Sequence, residues 1–190
     1  MPTENRTAYA VLGVLSFAPM SGYDIKKTFD HSIAHFWKEN YGHLYPVLAR
    51  LEREGLVRPE SPAKQARKSG RPARKAYSIT PKGREMFMEW VQKPPAAAHL
   101  RIEFLLKLFF GNAISPDTVM KFIERERQAC KANLEEFAQI EDRVKKQDLP
   151  EHRPYSLLCL DYGKAYYSSI LEWCGRAEKT VGQIRKNHGG

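Results

Sequence analysis

The chain has 190 residues, of which 42% are apolar, so it can bury a core in one domain or in two small ones. Its formal net charge of +9 and its isoelectric point near 9.5 favour an anionic partner, nucleic acid before an anionic membrane surface. The apolar runs are too short or too interrupted to span a bilayer, and no signal peptide opens the chain, so we expect a soluble, cytoplasmic protein.

The positive charge is concentrated in the first half of the chain. Residues 1–95 contain 16 Lys and Arg against 9 Asp and Glu, whereas residues 96–190 contain 15 against 13. Contact with an anion is therefore expected in the N-terminal half. Cys130, Cys159 and Cys174 form no CxxC pair, and an odd number without metal-ligand spacing is typical of reduced thiols in a cytosolic protein.

Helical spacing of apolar residues predicts two helices near the N-terminus. The first runs from about Arg6 to Phe17, and Pro19 closes it. The second begins at Ser21, which lies three residues before Asp24 as in a capping box, and its apolar stripe continues to Trp37.

A third helix is predicted from about Asn40 to Gly55. Asn40 is a good N-cap, Gly55 supplies a left-handed C-cap, and Pro46 is tolerated because it lies near the first turns. The residues expected to be buried are Leu44, Val47, Leu48 and Leu51.

The opposite face of this helix combines hydrogen-bond donors with an aromatic ring, in His43, Tyr45, Arg50 and Arg53. Such side chains are suited to bases and phosphates. A merely solvated helix face has a similar composition, so both interpretations stand at this point.

Residues 56–80 predict a β-hairpin, or wing, with two short strands around a long tip. Tyr77 and Ile79 alternate with small residues as in a half-buried strand. The tip contains no acidic residue and six basic ones: Lys64, Arg67, Lys68, Arg71, Arg74 and Lys75. Phosphates would neutralise this self-repelling segment, and Gly70-Arg71-Pro72 resembles the core of an AT-hook, which lies in a narrow minor groove. The alternative is a soluble loop.

Thr80 and Pro81 form an N-cap and first-turn pair for a fourth helix, which runs to Lys93. The prolines from Pro94 mark a boundary, which predicts domains at residues 1–93 and 94–190. Three helices, a wing and a fourth helix describe a winged helix-turn-helix with a two-stranded wing.

The second half of the chain predicts only helices, so the fold is mainly α. An apolar helix covers Leu100 to Phe110, and Ser115 with Pro116 starts a long helix whose apolar residues keep alternating spacings of three and four. Arg127 and Glu141 interrupt this stripe, which requires a partner helix. The final helix begins near Pro154.

Three segments of the first half, "LGVLSFAPMSGYDI", "LYPVLARLEREGLV" and "YSITPKGRE", resemble the N-terminal domain of PadR-type transcriptional regulators. The resemblance covers about 85 residues in order. It implies that Tyr45 and its neighbours His43 and Tyr41 face the major groove, and that Arg71 and Arg74 reach the DNA backbone or the minor groove. The wing is longer and more basic than is usual in the family, because Arg67, Lys68 and Arg71 are added.

The C-terminal segment "PYSLLCLDYGKAYYSSILEW" resembles the virulence-activator-like helical domain of longer PadR-type proteins. The resemblance implies an antiparallel dimerisation arm, and two-fold symmetry implies a roughly palindromic operator. The residues assigned to dimerisation are Leu134, Phe137, Leu158, Tyr162, Tyr166, Ile170 and Trp173. The aromatic residues Tyr162, Tyr166, Tyr167 and Trp173 are alternatively interpreted as the wall of a pocket for an aromatic effector.

His31, His35 and Glu39 recur at helical spacing and could present metal ligands, although a solvated helix face has the same pattern. The sequence has no Gly-rich phosphate loop, no nucleophile elbow and no HExxH motif. We therefore expect no catalytic activity, no cofactor and no metal site.

These features predict a homodimeric, sequence-specific regulator that binds double-stranded DNA. The family resemblance implies a repressor whose repression is relieved by an effector or partner of unknown identity. The alternative is a protein-binding adaptor whose basic wing docks an acidic partner. Salt-dependent, sequence-selective DNA binding distinguishes the first hypothesis from the second.

Overall fold

The computed structural model describes residues 6–32, 37, 44–60, 75–97, 100–146 and 149–188. The chain divides into two compact units, residues 1–96 and residues 97–190. The first unit contains helices α1 (Arg6–Leu15), α2 (Gly22–Ser32), α3 (Leu44–Arg53) and α4 (Pro81–Val91), with strands β1 (Met20–Ser21), β2 (Val57–Pro59) and β3 (Ala76–Ile79). The second contains α5 (Glu103–Phe109), a 3-10 turn (Gly111–Ala113), α6 (Pro116–Lys146) and α7 (Arg153–His188).

The helix starts of the first unit follow from side chains that satisfy free backbone amides. At α2, the Ser21 hydroxyl accepts from the Asp24 amide at 3.2 Å, and the Asp24 carboxylate accepts from the Ser21 amide at 3.3 Å. At α4, the Thr80 hydroxyl accepts from the Gly83 amide at 3.1 Å, and Pro81 follows in the first turn. Both predicted N-caps are confirmed.

The sheet of the first unit has three antiparallel strands in the order β1-β3-β2. β2 and β3 are the predicted wing strands, and they pair with Val57 opposite Ile79. β1 was not predicted: Met20 pairs with Tyr77 and Ser21 pairs with Ala76. The predicted two-stranded wing is therefore confirmed, and the residues just before α2 add a third strand to its sheet by pairing with the returning wing strand.

A core beneath these elements joins α1, α2, α3 and the start of β2. The three leucines and one valine expected on the inner face of α3 are among its members, and Phe87 of α4 packs at its edge. The buried residues are Ala8, Val11, Leu12, Val14, Leu15, Ile25, Phe29, Leu44, Val47, Leu48, Leu51, Leu56 and Val57. Helix α4 is also held by Tyr9 of α1, whose ring stacks on Trp90 at 4.7 Å between centroids.

In the second unit, α6 and α7 pack against each other along their lengths. The partner helix that the spacing of α6 requires is thus α7 of the same chain. Ile123 and Cys174 are fully buried in one cluster, and Phe137, Ile140 and Leu160 lie in another. At the second cluster the ring of Phe137 lies directly on Gly163, where a β-carbon would come within 2.7 Å of it.

The two charges that interrupt the apolar stripe of α6 each meet an opposite charge on α7. Arg127 forms an ion pair with Glu178, and Glu141 forms one with Lys164. Glu141 also pairs with Lys145 of its own helix at 2.9 Å. These pairs align the two helices in one register, because sliding α7 by a turn would separate both pairs at once.

The pairing of Glu141 predicts a pH-dependent stability. The hydrogen bonds from Lys164 and then Lys145 lower the pKa of the Glu141 carboxyl from 4.5 to about 2. Because the folded-state pKa is the lower one, the stabilisation is fully present above pH 4.5 and is lost as the pH falls toward 2. We expect Glu141→Gln to lower the urea midpoint at pH 7, and the difference from the unmodified protein to shrink below pH 4.5.

Urea denaturation followed by circular dichroism at several pH values measures this difference. Glu135→Gln, at an exposed position of the same helix, is the control and should leave the midpoint unchanged. An equal difference at pH 7 and at pH 3 would show that the ionised Glu141 carboxylate adds nothing to stability.

Candidate nucleic-acid interface

Helix α3 presents a solvent-facing line of side chains opposite its buried face. Leu44, Val47, Leu48 and Leu51 are buried, whereas Tyr45, Ala49 and Arg53 lie one turn apart on the outside. Tyr45 is 64% exposed although it is a large aromatic residue. Its phenol can donate and accept hydrogen bonds, and the small Ala49 beside it lets another molecule approach the helix backbone.

The C-terminal end of α3 is closed by a Schellman motif. Gly55 has φ +71°, a left-handed conformation that favours glycine, so the predicted C-cap is confirmed. The Gly55 amide donates to the Glu52 carbonyl at 3.0 Å, and the Leu56 amide donates to the Leu51 carbonyl at 2.8 Å. The chain therefore leaves the helix at a fixed angle and enters β2 directly.

Three side chains from residues 75–82, the segment that contains β3, form hydrogen bonds with this end of α3. The Thr80 hydroxyl donates to the Gly55 carbonyl at 2.8 Å, and the Lys82 ammonium donates to the Glu54 carbonyl at 3.0 Å. The Lys75 ammonium donates to both carboxylate oxygens of Glu52, at 2.7 and 2.9 Å. These bonds hold α3 and the wing base (residues 56–60 and 75–80) in a fixed arrangement.

Two of the basic residues predicted to bind DNA are paired within the chain. Arg50 lies 3.7 Å from Glu54, and Lys75 pairs with Glu52 while its ammonium sits 5.0 Å from the centroid of the Tyr77 ring. The hydrogen bond to Glu52 raises the pKa of the Lys75 ammonium. Such solvent-exposed pairs are weak, so a phosphate can compete for either cation.

The structure describes three of the residues predicted to bind DNA: Tyr45, Arg50 and Lys75. They lie on the outer face of α3 and at the wing base. The others lie outside the described residues, namely Tyr41, His43, Lys64, Arg67, Lys68, Arg71 and Arg74. His31, His35 and Glu39 of the alternative metal site also have no described side chain. The prediction omitted Ala49, although its position four residues after Tyr45 on the same helix could have indicated it.

The residues predicted for dimerisation fall into two environments. Leu134, Phe137, Ile170 and Trp173 pack inside the second unit. Leu158, Tyr162 and Tyr166 lie on the surface of a single chain, and the first two are 65% and 74% exposed. All three belong to one flank of α7. Along the C-terminal half of that flank, α5 covers the helix through an edge-to-face contact of Phe104 with Trp173 at 5.7 Å.

The aromatic residues considered for an effector pocket do not share one environment. Tyr167 packs against Phe137, Trp173 packs against Phe104, and Tyr162 faces solvent. Tyr166 contacts Tyr167 edge to face at 5.2 Å. Burial raises the pKa of the Tyr167 phenol. In the described geometry the four rings therefore do not form a common wall.

Among the described residues no group of three or more His, Cys, Asp and Glu is placed to hold a metal ion. No helix in the described ranges is long and apolar enough to cross a membrane. The three cysteines are unpaired, and Cys130 and Cys174 are buried. Burial raises the pKa of the Cys130 thiol to about 11, which keeps it protonated at neutral pH.

Helix α3, the wing strands β2 and β3 and the helices around them define a winged helix-turn-helix, followed by a helical second unit. The profile of the "Transcriptional regulator PadR-like family" matches residues 11–89, and that of the "Virulence activator alpha C-term" domain matches residues 100–181. The chain belongs to the PadR-like family of transcriptional regulators.

Several known proteins are similar to this chain over most of its length. The "Negative transcriptional regulator PadR" of Bacillus subtilis is 26% identical over 130 residues, which is 68% of this chain and 69% of that protein. The PadR-like transcriptional regulator BC1756 from Bacillus cereus is 30% identical, with a TM-score of 0.77 over 94% of this chain and 99% of that one.

Bacillus subtilis PadR has been solved in complex with operator DNA and also in complex with p-coumaric acid. The PadR chain in the DNA complex is 22% identical to this chain, with a TM-score of 0.77 over 92% of this chain and 98% of that one. The PadR chain in the p-coumaric acid complex is 22% identical to this chain, with a TM-score of 0.73 over 92% of this chain and 97% of that one. At this identity the likeness establishes a shared fold.

Proposed function

We propose that this chain is a homodimeric, sequence-specific DNA-binding repressor. Residues 1–93 form its DNA-binding domain and residues 94–190 its dimerisation domain. The observation that carries the proposal is the outer face of α3, where Tyr45, Ala49 and Arg53 project beside a rigidly attached wing base. A helix of this kind fits the major groove, which presents a distinct pattern of donors and acceptors for each base pair.

The charge of the chain supports a nucleic-acid partner. The net charge of +7 on residues 1–95 falls mostly on the wing, where Lys64, Arg67, Lys68, Arg71 and Arg74 lie close in sequence. We propose that these residues contact phosphates or the minor groove on either side of the base pairs that α3 reads. Lys75 and Arg50 would add phosphate contacts when DNA phosphates replace Glu52 and Glu54 as their partners.

The sign of regulation and the effector are proposed from the family. Bacillus subtilis PadR is named a negative regulator, and one of its structures contains p-coumaric acid. We infer that this chain also represses transcription and that a small molecule relieves repression. Since Tyr162 faces solvent while Tyr167 and Trp173 pack against different rings, we place no effector pocket at that cluster.

Substitution of Tyr45 tests whether the α3 face reads bases. Tyr45→Phe removes only the hydroxyl, and a lost hydrogen bond in each half-site of a dimer should lower operator affinity about tenfold. Tyr45→Ala should lower it further, and both variants should keep the same dependence on salt, because phosphate contacts are unchanged. Fluorescence anisotropy on a duplex selected by the unmodified protein from a random library measures these affinities.

Arg6→Gln, at an exposed position near the start of α1, is the control for a general effect of surface substitution. It should bind nearly as well as the unmodified protein. Wild-type affinity and an unchanged footprint in both Tyr45 variants would show that the Tyr45 face of α3 does not contact the bases.

A further inference from the structure

Gly22, the first residue of α2, is buried against helix α3. A β-carbon at this position would lie 2.8 Å from Cε1 and 3.4 Å from Cδ1 of Tyr45, and 3.2 Å from Cδ1 of Leu48. Ordinary contacts between carbon atoms are about 3.5 to 4.0 Å. The Tyr45 ring therefore lies flush against the backbone of α2, in a space that any side chain at position 22 would fill.

The backbone itself does not require glycine here. Among the described residues Gly55 is the glycine with positive φ, so Gly22 has a conformation that other residues adopt readily. Helix propensity also favours alanine over glycine. The close approach of Tyr45 is what accounts for a residue without a side chain at this position.

The Tyr45 ring contacts the start of α2 and is otherwise largely exposed to solvent. Tyr45 is 64% exposed, so most of the ring and its surroundings remain accessible to a partner. The start of α2 is itself fixed, because the Ser21 and Asp24 capping bonds hold it and Ser21 pairs with Ala76 of β3. Gly22 thus offers Tyr45 a rigid surface that limits the directions in which the phenol can point.

We propose that Gly22 is a specificity-determining residue that acts by positioning Tyr45. The inference rests on the proposed DNA-binding function and extends it to a residue outside the reading helix. A side chain at position 22 displaces the ring by about 1 Å, which is enough to break a hydrogen bond of normal length to a base edge. Because Tyr45 is a flexible exposed side chain, the ring moves without unfolding the domain.

The test is a double-mutant cycle of Gly22→Ala and Tyr45→Ala. The measured quantity is the ratio of affinities for the selected duplex and for a shuffled duplex, obtained by fluorescence anisotropy. Gly22→Ala should lower this ratio roughly tenfold, leave the salt dependence unchanged and barely alter the melting temperature. In the Tyr45→Ala background, Gly22→Ala should have no further effect, since the residue through which it acts is gone.

Additive effects of the two substitutions would overturn the proposal, and so would a Gly22→Ala variant with the selectivity of the unmodified protein. Lack of selectivity in the unmodified protein would instead refute the DNA-binding function. The contact is also testable without DNA: the Gly22 α-protons should show a ring-current shift in the NMR spectrum that Tyr45→Ala removes. An unchanged shift in that variant would mean that the ring does not lie on Gly22.

Discussion

Gly83→Ala is expected to destabilise the first unit by about 3 kcal/mol, through a clash with backbone that has no freedom to move. A β-carbon on Gly83 would lie 2.1 Å from the Leu56 carbonyl oxygen and 3.0 Å from its carbonyl carbon. That oxygen already accepts from the Thr80 amide at 3.0 Å and from the Thr80 hydroxyl at 3.1 Å. Relieving the clash means separating α4 from Leu56 and losing these bonds.

The melting temperature of the first unit should therefore fall by roughly 10 to 20 °C, which calorimetry measures directly. Gly182→Ala is the matched control, because a β-carbon there meets nothing within 4 Å and alanine is the better helix former. Gly182→Ala should leave the melting temperature unchanged or raise it slightly. A Gly83→Ala variant as stable as the control would show that α4 does not pack against Leu56 as described.

The double substitution Leu158→Asp with Tyr162→Asp is expected to convert the proposed dimer to a monomer. Both side chains belong to a flank of α7 that is exposed in a single chain, while α5 covers the continuation of that flank at Trp173. Exposed apolar side chains in a contiguous stripe are typical of a protein interface. A second copy of the chain would cover them, and buried aspartates would oppose that contact.

Loss of the dimer should lower operator affinity by at least about a hundredfold, since linked half-sites bind with a high effective concentration. Sedimentation velocity measures the dimer and fluorescence anisotropy measures the affinity. Ser168→Asp lies at an exposed position elsewhere around α7 and should preserve both. A dimer that persists in the Leu158 and Tyr162 variant would place the dimer contact elsewhere.

Local signals in the sequence identified most helix boundaries of this fold. Ser21 with Asp24, Thr80 with Pro81 and Gly55 each act on amides or carbonyls within a few residues, so their roles can be read from adjacent positions. The same holds for Ser115, whose hydroxyl accepts from the Thr118 amide at 3.2 Å. Strand β1 was missed because Met20 and Ser21 are too few residues to show alternation.

Contacts between distant segments were harder to predict. The spacing of α6 indicated a partner helix but could not say whether that helix belongs to the same chain, and Phe137 therefore appeared among the dimer residues. The ion pairs of Arg127 and Glu141 with α7 depend on a register that periodicity does not give. Gly22 and Tyr45 are distant in sequence, so their contact appears only in three dimensions.

The measurement that tests the proposed function most directly is fluorescence anisotropy of the protein on the DNA upstream of its own gene. A shuffled fragment of the same length is the control, and both are titrated at several salt concentrations. We predict tight binding to the upstream fragment, weaker binding to the shuffled one, and affinities that fall steeply as salt rises. Equal or absent binding to both fragments would contradict a sequence-specific regulator and would favour an adaptor whose basic wing docks an acidic protein.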